Sequence, residues 1–286
     1  MLNALSVLFA DDTSIILKNK ATNEIKDSLI TVLDQLMNWF QSNNFVPNLE
    51  KTNIVKFSTN YTLLNEPDPL DIVYNNQKIP QTSVVKFLGI HVDEKLSWKT
   101  HIDQLNSKIG KFNFALRVIT KKVGKTAALI SYYAFVQSNL TYGIIFWGNS
   151  VEAERIFISQ KSCIRSLFHL DYRASCKDTM IQNNILSLPC LYIFECAKFV
   201  KKHYNEFYEE KETKHTYNTR AVKNKLLNKP KTQLTQIQKN VEWQSINIYN
   251  KIPSEIKMLQ NSQFTKELGT YLKTKCLYSI SEFMGA

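Results

Sequence analysis

Apolar positions along this chain follow two different periods. Before about residue 98 they fall mostly in short runs broken by turn formers, with one helical stretch over about 22–42, and beyond it they recur at helical spacing. The first runs, Leu5-Ser6-Val7-Leu8-Phe9 and Ile15-Ile16-Leu17, flank Ala10-Asp11-Asp12-Thr13. That pattern predicts a β-hairpin whose tight turn carries two adjacent carboxylates. Side chains alternate across a strand, so one acid points from the sheet face and the turn brings its neighbour close.

Helical spacing of Ile25, Leu29, Leu33, Leu36, Met37 and Phe40 predicts a helix from Thr22 to about Ser42. Asn43-Asn44 and Pro47 end it, and its apolar face is expected on the back of the hairpin. Ile54–Phe57 reads as a strand and 58–70 as a loop. Asn75-Asn76 sits at the turn of a short hairpin over 72–79, and Ser83–Val92 reads as one strand with Gly89 as a bulge. Helices follow over about 98–120, 126–139, 152–170, 177–208, 234–250 and 263–280, with Tyr142–Gly148 as a buried apolar segment. The fold class is α+β.

Charge divides unevenly over the 286 residues. Residues 1–100 hold 9 Lys/Arg against 11 Asp/Glu, net −2, whereas 101–286 hold 27 against 14, net +13. An acidic end joined to a basic remainder suits a polyanion lying across both. The densest basic window, 211–231, has seven cations (Lys211, Lys214, Arg220, Lys223, Lys225, Lys229 and Lys231) against Glu212, with Tyr217 among them. It reads as an exposed connector, serving phosphate contact or solvation alike. Cys163, Cys176, Cys190, Cys196 and Cys276 form no CxxC or zinc spacing, and read as free or buried thiols in a reducing compartment. The chain shows no signal peptide and no apolar run long enough for a membrane span, so no membrane partner is expected.

Asp11 and Asp12 repel unless a cation sits between them. Mg²⁺ accepts one or two carboxylates and completes its shell with water and phosphate oxygens. Paired ions of this kind promote phosphoryl transfer. Taken alone, the dipeptide is a solvated turn, since Asp is a default turn residue. Its company changes that reading.

Phe9-Ala10-Asp11-Asp12 resembles the [YF]-A-D-D palm motif of non-LTR (LINE-type) retrotransposon reverse transcriptases, most closely the jockey-like group. Asn48-Leu49-Glu50-Lys51-Thr52 resembles that family's next block, and Phe87-Leu88-Gly89-Ile90 its primer-grip hairpin. Asp93-x-x-Leu96-x-Trp98-x-x-His101-Ile102 is similar to the entry into its thumb. Tyr142-Gly143 to Trp147-Gly148 and Tyr217-Asn218-Thr219-Arg220 are similar to later blocks.

The resemblance implies a partial palm over 1–95, an antiparallel sheet with a packed helix. It implies a helical thumb over 96–150 and a basic helical C-terminal region over 151–286. It makes Asp11 a metal ligand, Asp12 its weaker neighbour, and Lys51 a cation near the nucleotide phosphates. A solvated strand-entry lysine is the alternative for Lys51. Phe87, Leu88 and Gly89 would hold the primer end; Trp98 and Trp147 are expected in the core. The implied chemistry is RNA-templated DNA synthesis with Mg²⁺ or Mn²⁺, from an RNA template, a DNA primer and dNTP, inside the cell in cytoplasm or nucleus. The family also needs a further palm Asp, fingers and a nucleotide-selecting segment ahead of the turn, and only ten residues precede Asp11. The expectation is therefore a C-terminal fragment with an incomplete metal site, inactive alone. The rival is a non-enzymatic nucleic-acid-binding remnant of a mobile element.

Overall fold

Among the described residues the six strands of the first hundred positions pair in sequence order, giving three separate antiparallel hairpins. A computed structural model of the protein describes residues 4–18, 22–57, 70–209, 226–229, 232 and 238–285. It divides into two units, Met1–Thr100 and His101–Ala286.

In the first unit, β1 (Ala4–Phe9) pairs with β2 (Asp12–Leu17), β3 (Ile72–Tyr74) with β4 (Gln77–Ile79), and β5 (Val84–Phe87) with β6 (Ile90–Asp93). Helix α1 (Thr22–Ser42) ends where Asn44 takes a left-handed φ of 59°. Its Leu33 packs with Leu70, Ile72 and Ile79, and Ile25, Leu29, Met37, Ile54 and Tyr74 surround that cluster. Helix α1 also touches β2, but its core partner is the β3–β4 hairpin, not the Asp-bearing one as expected. The reason is composition: Ile72 and Ile79 stand opposite each other in register and present one apolar face. Asn75 and Asn76 turn that hairpin at φ 47° and 61°, as their tolerance of positive φ predicts.

Two strand expectations need correction. Ile54–Phe57 is no strand; Ile54 makes an isolated parallel bridge to Gln81. Ser83–Val92 is not one bulged strand but the β5–β6 hairpin, turning at Leu88 (φ 45°) and Gly89 (φ 83°). The expected 58–70 loop lies outside the described residues apart from Leu70, which is buried and donates its N–H to Gln81 Oε1 at 2.7 Å.

The second unit is helical. It comprises α2 (Lys99–Lys122, chiefly in this unit), α3 (Lys125–Ser131), a π segment (Tyr132–Gln137), α4 (Ser138–Thr141), α5 (Ile144–Trp147) and α6 (Ala153–Phe168). Then come α7 (Lys177–Gln182), α8 (Leu188–Lys202), α9 (Tyr204–Glu209), α10 (Val241–Lys251), α11 (Ser254–Lys257), α12 (Asn261–Lys275) and α13 (Ile280–Gly285). The single helix expected over 177–208 is three, because Asn184 turns left-handed (φ 57°) and Pro189 favours a fresh helix start capped by Ser187. Helix α8 is the hub: Leu188, Cys190, Leu191, Tyr192, Ile193, Cys196, Ala197 and Val200 are all buried, and α5, α6, α9, α10, α12 and α13 pack on it. A helix apolar on nearly every side belongs inside.

Trp147 is fully buried, as expected, with Nε1 donating to the Tyr142 carbonyl at 3.1 Å. Beside it Gly148 is obligatory, since a Cβ there would lie 2.5 Å from Tyr192. All five cysteines are free and buried. A buried Gln160 joins three segments, donating to Tyr132 Oη and the Leu186 carbonyl at 2.9 Å and accepting from Leu188 N–H at 2.8 Å. Among the described residues no helix is long and apolar enough to cross a membrane.

Candidate nucleotidyl-transfer site

The β1–β2 hairpin closes with Phe9 opposite Asp12 in register, leaving Ala10-Asp11 as a two-residue turn. Such tight turns require positive φ, and Ala10 takes it at 53°. Glycine is the usual occupant; an alanine there carries backbone strain of about 1 kcal/mol. Asp11 thus sits in the turn and Asp12 opens β2, and both are exposed. Asp12 shares a face with its cross-strand partner Phe9, and Asp11 belongs to the tip. The hairpin's apolar side chains are also largely uncovered, with Leu5, Leu8, Phe9 and Ile16 exposed at 60%, 61%, 60% and 57%.

Among the described residues no group of three or more His, Cys, Asp or Glu gathers in a metal-binding arrangement. Two exposed carboxylates suit one Mg²⁺ or Mn²⁺ completed by water and phosphate oxygens. They do not by themselves furnish the ligands of a two-ion centre.

Lys51 ends a 3₁₀ turn (Leu49–Lys51) capped by Asn48, whose Oδ1 accepts Lys51 N–H at 3.2 Å, while Thr52 Oγ1 donates to the Asn48 carbonyl at 2.9 Å. The Asn-x-x-Lys-Thr spacing thus has a local cause, a cap that fixes where the exposed Lys51 leaves the backbone. Phe87, Leu88 and Gly89 form the β5–β6 tip. Lys86 faces His91 across that hairpin; burial first, and the Lys86 charge second, push the imidazole pKa down, so it is neutral near pH 7.

Asp93 has a structural task that the motif around it does not announce. Its nearly buried carboxylate accepts the N–H groups of Lys95 (3.2 Å), Ser97 (2.9 Å) and Trp98 (2.7 Å), closing a loop in which Leu96 and Trp98 both take positive φ. An Asp followed at once by two polar residues before a helix is the signal that was available.

Lys211, Lys214, Arg220, Lys223 and Lys225 lie outside the described residues. From the same window, Lys229 is described: it lies over the Trp243 ring at 5.1 Å and donates to Asn247 Oδ1 at 2.8 Å.

The chain is 24% identical over 144 residues to a protein named probable RNA-directed DNA polymerase from transposon X-element, of Drosophila melanogaster. The match covers 49% of this chain and 15% of that protein. It supports a reverse-transcriptase-like relationship. No protein-family profile matches the chain, and no solved structure does.

Proposed function

We propose that this chain carries part of the RNA-directed DNA polymerase of a non-LTR, LINE-type retrotransposon related to the jockey-like elements. The observation that carries the proposal is the Asp11–Asp12 pair, held outward on a strained two-residue turn in a chain similar to a transposon polymerase. In this scheme Asp11 and Asp12 hold Mg²⁺ or Mn²⁺, and the bound ion lowers the charge barrier to attack on a nucleotide phosphate. Lys51 faces the leaving pyrophosphate, where negative charge builds as the bond breaks. Phe87, Leu88 and Gly89 hold the primer end. The basic helices and the 211–231 connector grip an RNA–DNA duplex through its backbone.

A complete centre needs another carboxylate than the described residues gather, so the 286-residue chain binds but does not polymerise alone. Two measurements test this. In primer extension on an RNA template with Mg²⁺, the chain gives no incorporation; robust incorporation abolished by Asp11→Ala overturns the incompleteness. In a Mn²⁺ titration followed by electron paramagnetic resonance, the chain binds the ion weakly and the Asp11→Ala, Asp12→Ala double variant does not; equal binding by both overturns the assignment of the pair. The lack of a third ligand among the described residues favours one rival, a non-enzymatic nucleic-acid-binding remnant. Hybrid-duplex binding with no Mn²⁺ binding at the pair would select that rival.

A further inference from the structure

The second unit carries an exposed aromatic surface to which the carboxylate site assigns no task. It lies where α3 widens into the π segment Tyr132–Gln137, a rare geometry that concentrates at functional sites. One side of this segment is locked into the core: Tyr132 and Val136 are fully buried, and Tyr132 Oη accepts Gln160 Nε2. The other side presents Phe135, 52% exposed.

Phe135 is held firmly for so exposed a ring. It stacks on Phe112 of α2 with centroids 5.4 Å apart and planes 28° from parallel. Its carbonyl accepts Asn139 Nδ2 at 2.6 Å, and Asn139 Oδ1 in turn accepts Lys108 Nζ at 2.7 Å. The same ammonium lies 6.0 Å from the Phe112 ring centre. The Phe112 ring therefore supports the outward ring while the amide ties down its backbone turn, and preorganisation of this kind lowers the entropy lost on binding.

The helix that backs the ring is rich in cations. Helix α2 bears Lys99, Lys108, Lys111, Arg117, Lys121 and Lys122 against a single acid, Asp103, which is engaged by Arg155 at 2.7 Å. Protein–protein contact cores are depleted of charge, whereas polyanion-binding surfaces interleave aromatics with Lys and Arg.

We infer that Phe135, backed by Phe112 and accompanied by Lys108, is a stacking platform for an unpaired base of single-stranded nucleic acid. This rests on the nucleic-acid partner proposed for the chain and narrows it to a strand whose bases are free to stack. Every base offers a π-face and no base-edge readout is involved, so the platform is tolerant of sequence.

Anisotropy titrations with fluorescein-labelled oligo(rU) and with a blunt, fully paired RNA–DNA duplex test it on the full chain. Phe135→Ala weakens oligo(rU) binding about tenfold and leaves duplex binding within about twofold. Phe135→Leu, which keeps the apolar cover over Phe112, weakens it similarly, and Phe135→Trp retains it. Lys108→Gln lowers the salt slope for oligo(rU) by about one. Unchanged oligo(rU) binding by both Phe135→Ala and Phe135→Leu overturns the platform, as does an equal loss of both probes. Loss of self-association in place of RNA binding marks the patch as a protein contact and overturns it too. If the unaltered chain binds neither probe, the nucleic-acid partner itself falls; if it binds the duplex and Phe135 does not matter, the platform alone falls.

Discussion

The two units of this protein differ in how far they complete themselves. The second buries whole aromatic side chains, Trp147, Tyr132, Tyr192, Tyr249 and Phe264, around helix α8, and its buried Gln160 ties three segments together by hydrogen bonds. The first has a small core of Leu33, Leu70, Ile72 and Ile79, while the hairpin bearing the carboxylates leaves Leu5, Leu8, Phe9 and Ile16 in water. The part with candidate chemistry is the part with the least packing of its own. Dense packing and the candidate carboxylates therefore lie in different units of this chain.

The largest effect that can break this contrast is on the second unit. Trp147→Ala empties a fully enclosed site and costs about 3–5 kcal/mol. Urea unfolding followed by far-ultraviolet circular dichroism measures it, and hydrogen exchange at the β3–β4 amides should stay unchanged. A loss below about 1 kcal/mol would mean that the helical core is no firmer than the hairpins.

Alkaline pH comes next. Burial pushes the Cys163, Cys196 and Cys276 thiols from 9.0 up to about 12, and raises those of Cys176 and Cys190. Burial likewise raises the phenols of Tyr132, Tyr192 and Tyr249. Below pH 9 each thiol is neutral in both folded and unfolded chains, so it contributes no pH dependence. Above it the unfolded chain releases protons that the folded one keeps, and stability falls progressively until about pH 12. Melting curves from about pH 8 to about pH 11 should show the helical unit losing stability, whereas the first unit, without cysteine, keeps most of its own. Parallel loss in both units would erase the contrast.

The smallest effect sharpens the contrast at the tip itself. Ala10→Gly relieves the left-handed alanine and stabilises the β1–β2 hairpin by about 1 kcal/mol. Slower hydrogen exchange along β1 and β2 reads it out. Faster exchange would mean the turn is not strained.

Much of this was legible in the residues. Asn75-Asn76 announced a turn, Asn43-Asn44 a helix end, and the isolated cysteines announced buried thiols, because each depends on local chemistry. The Asp11-Asp12 turn was legible for the same reason. Leu88 was not: a leucine at φ 45° runs against its own preference, and only the pairing of β5 with β6 imposes it. The π segment was hidden because YYAFVQ keeps an ordinary helical apolar pattern through the widening. The partner of α1 is not legible in its sequence, since its apolar stripe fits either hairpin and periodicity does not say which surface will cover it.

A two-stranded ribbon is at best marginally ordered in water by itself. Among the described residues β1 and β2 pair only with each other, so each keeps an outer row of peptide groups open to a newcomer. Whatever strand docks there would stiffen the ribbon and set the posture of its acidic end, making the spacing of the two carboxylates a property of the assembly.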